Sequence, residues 1–197
     1  MEKINSLTGM TDLIETKADE NVLANKVFQT EKILKEIFTN YVMSEIRTPA
    51  LENTNLFKRS VGDTSDIVNK ELYTFSDKND KSITLRPEGT ASVMRSIIEK
   101  KLDGETHKLW YLGPMWRYER PQKGRYRQFN QAGIEILGYP EGAPEFEMIS
   151  LICELNRKLQ IRKPLIKINH LGDSNTKKLF CKAVSYTHLT LPTNGLV

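Results

Sequence analysis

The densest set of groups able to do chemistry lies between Trp116 and Glu135, where the chain reads WRYERPQKGRYRQFNQAGIE. From Arg117 to Arg127, five basic side chains (Arg117, Arg120, Lys123, Arg125, Arg127) stand against one acid, Glu119. Pro121 and Gly124 break the middle of the run. A cationic loop between two strands has no core to fill, so its charges face a polyanion while the strands hold them in place. The second strand separates into two faces, because neighbours on a strand point in opposite directions. Ala132, Ile134 and Ile136 form an apolar back; Phe129, Gln131, Gly133 and Glu135 form the other face. Gln131 and Glu135 then stand about 13 Å apart at roughly 3.3 Å per residue, with Gly133 leaving an open slot between them. An amide, a carboxylate and an aromatic ring around a slot suit a small polar ligand that carries donors. A solvated hairpin with a charged tip is the plainer alternative, but it leaves a glycine-split polar row over an apolar back unexplained. On the first strand, Arg117 and Glu119 share a face with Met115.

Helices and strands must hold these groups. Leu23, Val27, Leu34, Phe38 and Tyr41 recur at helical spacing and predict a helix over 22–42, with Asp19 or Asn21 as its cap. Residues 44–51 read as a strand whose Pro49 suits a sheet edge or an irregular position. Residues 56–70 show no clear period, and GDTSDIV, from Gly62, reads as loop with one helical turn. Residues 72–76 and 82–87 are strands around the turn residues Asp77 to Asp80. Pro87, Glu88, Gly89 and Thr90 open a helix with Met94, Ile97, Ile98 and Leu102 as its buried stripe. Strands over 109–119 and 127–138 flank the cationic loop. A helix over 145–159 follows, with Met148, Ile152, Leu155 and Leu159 inward, then a strand over 164–171. Hairpins outnumber βαβ units, which predicts an α+β fold with an antiparallel sheet and helices on one face.

Composition sets looser bounds. A chain of 197 residues is one large domain or a domain with a stub, long enough to bury a core. Its net charge of +4 permits a nucleic-acid partner without requiring one. Cys153 and Cys181 show no CxxC or metal spacing and read as reduced thiols. His107 and His170 are isolated, so structural roles are expected and no metal site is. Trp110 and Trp116 are assigned to packing. No run approaches a membrane span, and the cytoplasm is the default expectation.

Three segments together, LRPEGTASVMR from Leu85, the WRYERPQKGRYRQFNQ loop and INHLGD from Ile168, resemble histidyl-tRNA synthetase, a class II aminoacyl-tRNA synthetase. The resemblance runs from about Leu7 to Val184. It implies an antiparallel catalytic sheet of six or seven strands flanked by helices, in a homodimer formed through the first helix and the Pro49 strand (motif 1). The charged hairpin corresponds to motif 2. The implied reaction joins histidine to ATP, with accompanying Mg2+, and then passes the histidyl group to the 3′ end of its tRNA. By resemblance Arg117 grips the α-phosphate and is the catalytic group. Glu119 faces the adenine end, Phe129 stacks on adenine, and Arg125 reaches toward the outer phosphates. Glu88 receives the α-ammonium of histidine, with Gly89 and Thr90 shaping that corner, and Gln131 and Glu135 hold the rest of the amino acid. Taken alone, Arg86 and Glu88 read equally well as a surface pair beside a helix start. Asn130 departs from the histidine common in the family, on the back face.

A related regulatory subunit of ATP phosphoribosyltransferase, which senses histidine without aminoacylating tRNA, is the alternative implied by the same resemblance. The full set Arg117, Glu119, Arg125 and Phe129 favours the enzyme. From Ser185 to Val197 the resemblance stops, and that tail is expected to be unrelated and loosely packed. Motif 3 and an anticodon-binding domain do not follow, so residues 1–184 read as a truncated catalytic domain unable to aminoacylate by itself.

Overall fold

In a computed structural model, residues 4–16, 22–61, 70–120, 122–162, 164–169 and 172–189 are described. In chain order the elements are α1 (Val22–Asn40), β1 (Ser44–Glu45), β2 (Leu51–Asn53), α2 (Thr54–Val61), β3 (Thr74–Ser76) and β4 (Ser82–Leu85). They continue with α3 (Thr90–Glu99), β5 (His107–Trp116), β6 (Gln128–Leu137), α4 (Ala143–Lys158) and α5 (Ser174–Leu189). Residues 1–161 form one compact unit and 162–197 a second.

The first unit contains two small sheets. In one, β5 pairs antiparallel with β6 over its whole length, from His107 opposite Leu137 to Trp116 opposite Gln128. The short β1 joins the other side of β5 in parallel. The second sheet is antiparallel in the order β2-β4-β3. Its β3–β4 turn forms because the Asp77 carboxylate accepts from the backbone N–H groups of Asn79 and Lys81, at 2.7 and 2.9 Å. Those two bonds, Lys81 first, hold the Asp77 carboxyl below its usual range.

Helices cover both faces of the β5–β6 ladder, where one covered face was expected. The reason is β5 itself: HKLWYLGPMW is nearly continuous in apolar groups, so neither face tolerates water. Toward α1 and α4, Trp110, Ile134 and Ile136 pack with Ile37, Phe38 and Leu151. Toward α3, Tyr111 and Met115 pack with Val93 and Ile97. The α+β class stands.

Several boundaries and faces differ from the sequence reading. The single strand over 44–51 is two strands in different sheets, with Pro49 in the connection, where its missing N–H breaks no ladder. α3 buries Ala91, Ser92, Val93, Ser96 and Ile97, while Ile98 of the expected stripe is exposed. α4 buries Leu151 and leaves Met148 and Ile152 partly exposed. Residues 164–169 have no strand, and 170–171 lie outside the described residues. So do Asp19, Asn21, GDTSDIV and His170. In the second unit, α5 starts where Asp173 accepts from the Thr176 N–H at 2.7 Å. Its backbone is helical through Leu189, and residues 190–197 of the expected loosely packed tail lie outside the described residues.

Phe38 is 2% exposed and its ring centroid lies 5.1 Å from that of Trp110. Phe38→Ala removes this contact from both α1 and the sheet. We expect a loss of about 3–5 kcal/mol in unfolding free energy, read from urea titrations.

Candidate functional site

Because paired residues share a face, β5 and β6 together build one floor. Across the ladder, Leu109 faces Glu135, Tyr111 faces Gly133, Gly113 faces Gln131 and Met115 faces Phe129. Tyr111 holds the centre. A Cβ on Gly133 would stand 2.2 Å from its ring, and a Cβ on Gly89 would stand 2.3 Å away. The slot expected between Gln131 and Glu135 is therefore not open, because Tyr111 fills it from the partner strand. The two glycines admit the ring; they do not leave a hole. Sequence reasoning missed Tyr111, whose signal was its place opposite Gly133 once the hairpin register is known.

Around Tyr111 the polar groups close up. Thr90 Oγ1 donates to Glu135 Oε1 at 2.7 Å, tying the start of α3 to β6. Burial pushes the Glu135 carboxyl above its usual value; the Thr90 bond pulls it down and the Glu88 carboxylate pushes it up again. Burial also raises the Tyr111 hydroxyl, against its hydrogen bond with Thr90, while Glu135 and Glu88 add to the rise. Glu88 does not pair with Arg86. Its carboxylate accepts from the Thr90 N–H at 2.6 Å and the Ala91 N–H at 3.0 Å, capping α3 from the residue before Gly89. Gln131 Oε1 is buried and, among the described residues, accepts no hydrogen bond. An unpartnered buried acceptor is costly and suits a ligand donor.

The cationic stretch begins at this floor. Arg117 Nε donates to the Pro87 carbonyl at 3.0 Å, and its guanidinium carbon sits 5.2 Å from the centre of the Phe129 ring. Arg117, Phe129, the corner at Glu88 to Thr90 and the row Gln131 to Glu135 thus come together. Arg125 stands apart, its Nη1 3.3 Å from Glu119 Oε2. At the loop base, Arg127 lies over the Tyr118 ring at 4.1 Å and donates from Nε to the Glu119 carbonyl. The Gly9 carbonyl accepts from the N–H groups of Arg127 and Gln128, at 2.8 and 3.2 Å, so a segment more than a hundred residues upstream fastens the base. Gly9 has φ +80°, and a Cβ there would meet Arg127 at 3.0 Å.

The back face behaves as read. Asn130 Nδ2 bonds Glu31 Oε1 on α1 at 3.0 Å, and Trp110 is core. Ala132, though, lines a cavity of about 500 Å³ against α1 with Leu34 and Leu112. Beside the site, Glu88 and Thr90 line a wider opening of about 1010 Å³ with Leu56, Arg59 and Arg95. Trp116 Nε1 bonds Gln128 Oε1 at 3.1 Å, and His107 Nε2 lies 2.8 Å from the Leu102 carbonyl. Among the described residues no group of three or more His, Cys, Asp or Glu side chains is placed to hold a metal, and no helix is long and apolar enough to cross a membrane.

The family model for histidyl-tRNA synthetase matches residues 20–175. A histidine–tRNA ligase of Prochlorococcus marinus (strain MIT 9515) is 45% identical over 184 residues, covering 93% of this chain and 42% of that protein. One from Geobacillus sp. (strain WCH70) is 51% identical over 157 residues, covering 78% of the chain and 37% of the relative. The crystal structure of apo histidyl-tRNA synthetase from S. aureus superposes with a TM-score of 0.75 at 36% identity, over 93% of this chain and 42% of that one. The chain spans about two fifths of the length of these relatives.

The raised Glu135 carboxyl gives a pH prediction. A carboxyl that is raised in the fold binds more protons folded than unfolded, so stability falls as pH climbs from its ordinary value toward the folded one. Glu135→Gln removes that slope. The variant should gain stability relative to the parent as pH rises above about 4.3, in urea titrations stepped from about pH 4 to 7. Parallel curves would show that Glu135 is not desolvated.

Proposed function

Since the chain belongs to the histidyl-tRNA synthetase family, we propose that the site activates histidine with ATP and serves transfer of the histidyl group to the 3′ end of its tRNA. The observation that carries this reading is the meeting of Arg117 and Phe129 with the buried, unpartnered acceptor of Gln131 on one floor. A cation and an aromatic ring suit a nucleotide; an acceptor on the same floor as the Glu135 carboxylate, with Glu88 at the neighbouring corner, suits an amino acid that brings donors.

In this reading Phe129 stacks on adenine, and Arg117 holds oxygens of the α-phosphate. The histidine carboxylate attacks that phosphorus, negative charge builds on its oxygens, and pyrophosphate leaves. A guanidinium already fixed by the Pro87 carbonyl stabilises that charge without reorganising. Glu88 receives the α-ammonium. Its oxygens cap α3 and keep further lone pairs for a ligand. Gln131 Oε1 takes a second donor, and Glu135, oriented by Thr90, takes an imidazole N–H. Gly89 and Gly133 act through Tyr111, whose ring forms the floor beneath the amino acid. Arg125 leaves Glu119 to reach the outer phosphates, which frees Glu119 for the adenine end. Magnesium arrives on the phosphates, and catalysis is positioning plus charge stabilisation. The intact gene product works in the cytoplasm, as a homodimer paired through α1 and the Pro49 connection. The names of the relatives favour activating histidine over merely sensing it.

Two variants of the intact gene product test this by histidine-dependent exchange of pyrophosphate into ATP. Arg117→Ala should slow exchange by about 10²–10³-fold, or about 2.7–4 kcal/mol. Unchanged exchange would reject its role. Gly133→Val drives the Tyr111 ring off the floor, so histidine binding should be lost while ATP still binds. Equal losses for both ligands would mean the floor is misassigned.

A further inference from the structure

Arg86 follows β4 and stands just before the corner that carries Glu88 and Thr90. Its guanidinium turns away from that corner's carboxylate and into the protein. Nη1 donates to the carbonyl and hydroxyl of Thr48, at 2.8 and 2.9 Å, and Nε to the Pro114 carbonyl at 3.2 Å. The backbone of Arg86 completes the junction. Its N–H donates to the Ala50 carbonyl at 2.9 Å, and its carbonyl accepts from the Trp116 N–H at 3.1 Å. The next carbonyl, Pro87, is the one that fixes Arg117.

Three segments therefore converge on one side chain: the connection from β1 to β2, the corner from β4 to α3, and the end of β5. They belong to both sheets, and the last two deliver the carboxylate corner and Arg117. A planar fork fixes the directions of its acceptors, which a single ammonium on a flexible stem does not. Gly113 makes room for it, since a Cβ there would stand 3.0 Å from Nη2. Burial lowers the pKa of the guanidinium, and the nearby Glu52 carboxylate works against that fall.

We infer that Arg86 is a positioning residue for the proposed adenylation: it holds the corner that receives the amino acid at a fixed distance from Arg117, which meets the α-phosphate. This rests on the functional reading above. It assigns Arg86 an effect on the chemical step through geometry, without contact with either substrate. A misplacement of about 1 Å between reacting groups lowers turnover on the order of a hundredfold.

The test uses the intact gene product and the same pyrophosphate exchange. If the parent does not exchange, the functional reading fails before Arg86 is in question. If it does, Arg86→Lys should lower kcat by about 10- to 100-fold, with both KM values within about threefold of the parent. Gly113→Ala, which crowds Nη2 and leaves Arg86 in place, should give the same pattern in milder form. Thermal unfolding of each variant is followed in parallel, at the assay temperature and above. A kcat within about twofold of the parent in Arg86→Lys overturns the inference, and so does a loss confined to KM. A loss of activity that only follows the unfolded fraction in both variants also overturns it, because the role would then be structural alone.

Discussion

One aromatic ring pressed between two glycine backbones sets the spacing of the whole site. Tyr111 is nearly buried, and neither Gly89 nor Gly133 could carry a side chain beside it. The corner before α3 can therefore approach β6 only as closely as the thickness of that ring allows. The Thr90–Glu135 hydrogen bond exists at that separation, and Val93 and Ile97 dock against the same ring's cluster. Burying such a side chain stabilises by about 1.5–3 kcal/mol, and a hydrogen bond to a carboxylate by a similar amount. The bulk of the ring sets the closest approach, and the Thr90–Glu135 bond chooses the orientation within it.

The arginines of the hairpin are held without being neutralised. Arg117 rests on a carbonyl and an aromatic face, and Arg127 on another carbonyl and another ring. Such partners restrict a guanidinium while leaving its full charge available to an anion. Arg125 is the contrast, since a carboxylate holds it. Among these three, Arg117 and Arg127 have no carboxylate paired with them, and the paired Arg125 is the exposed one. The loop therefore divides into a rigid charged base and an adaptable tip.

Much of this was legible from side-chain order alone. Alternation over Phe129 to Ile136 assigned both faces of β6 correctly, because a half-buried strand writes its environment every second residue. The turn at Asp77 followed from local backbone chemistry, as did the irregular position of Pro49, though not the split of its strand between two sheets. The failures share a cause. Tyr111 lies beside Gly133 only through the ladder's register, and Gly9 reaches Arg127 only through the fold; neither relation has a sequence period. The faces of α3 and α4 were partly misjudged: Ile97 and Leu155 pack inward as expected, but Ile98 and Ile152 do not, and α3 also buries Val93 and the small Ala91, Ser92 and Ser96. Glu88 carried two readings, and the helix-start reading holds in its geometry, together with lone pairs that leave the other role open.

The Gly9 carbonyl has a consequence for the order in which the molecule is made. Its two donors, Arg127 and Gln128, are synthesised more than a hundred residues later, which at a ribosomal pace of about 5–20 residues per second is roughly 6–24 seconds. Throughout that interval the Gly9 carbonyl lacks both donors, and Ile4 and Leu7, exposed even in the finished fold, lie nearby in the chain. The base of the cationic hairpin is thus fastened by a segment made well before the residues it joins.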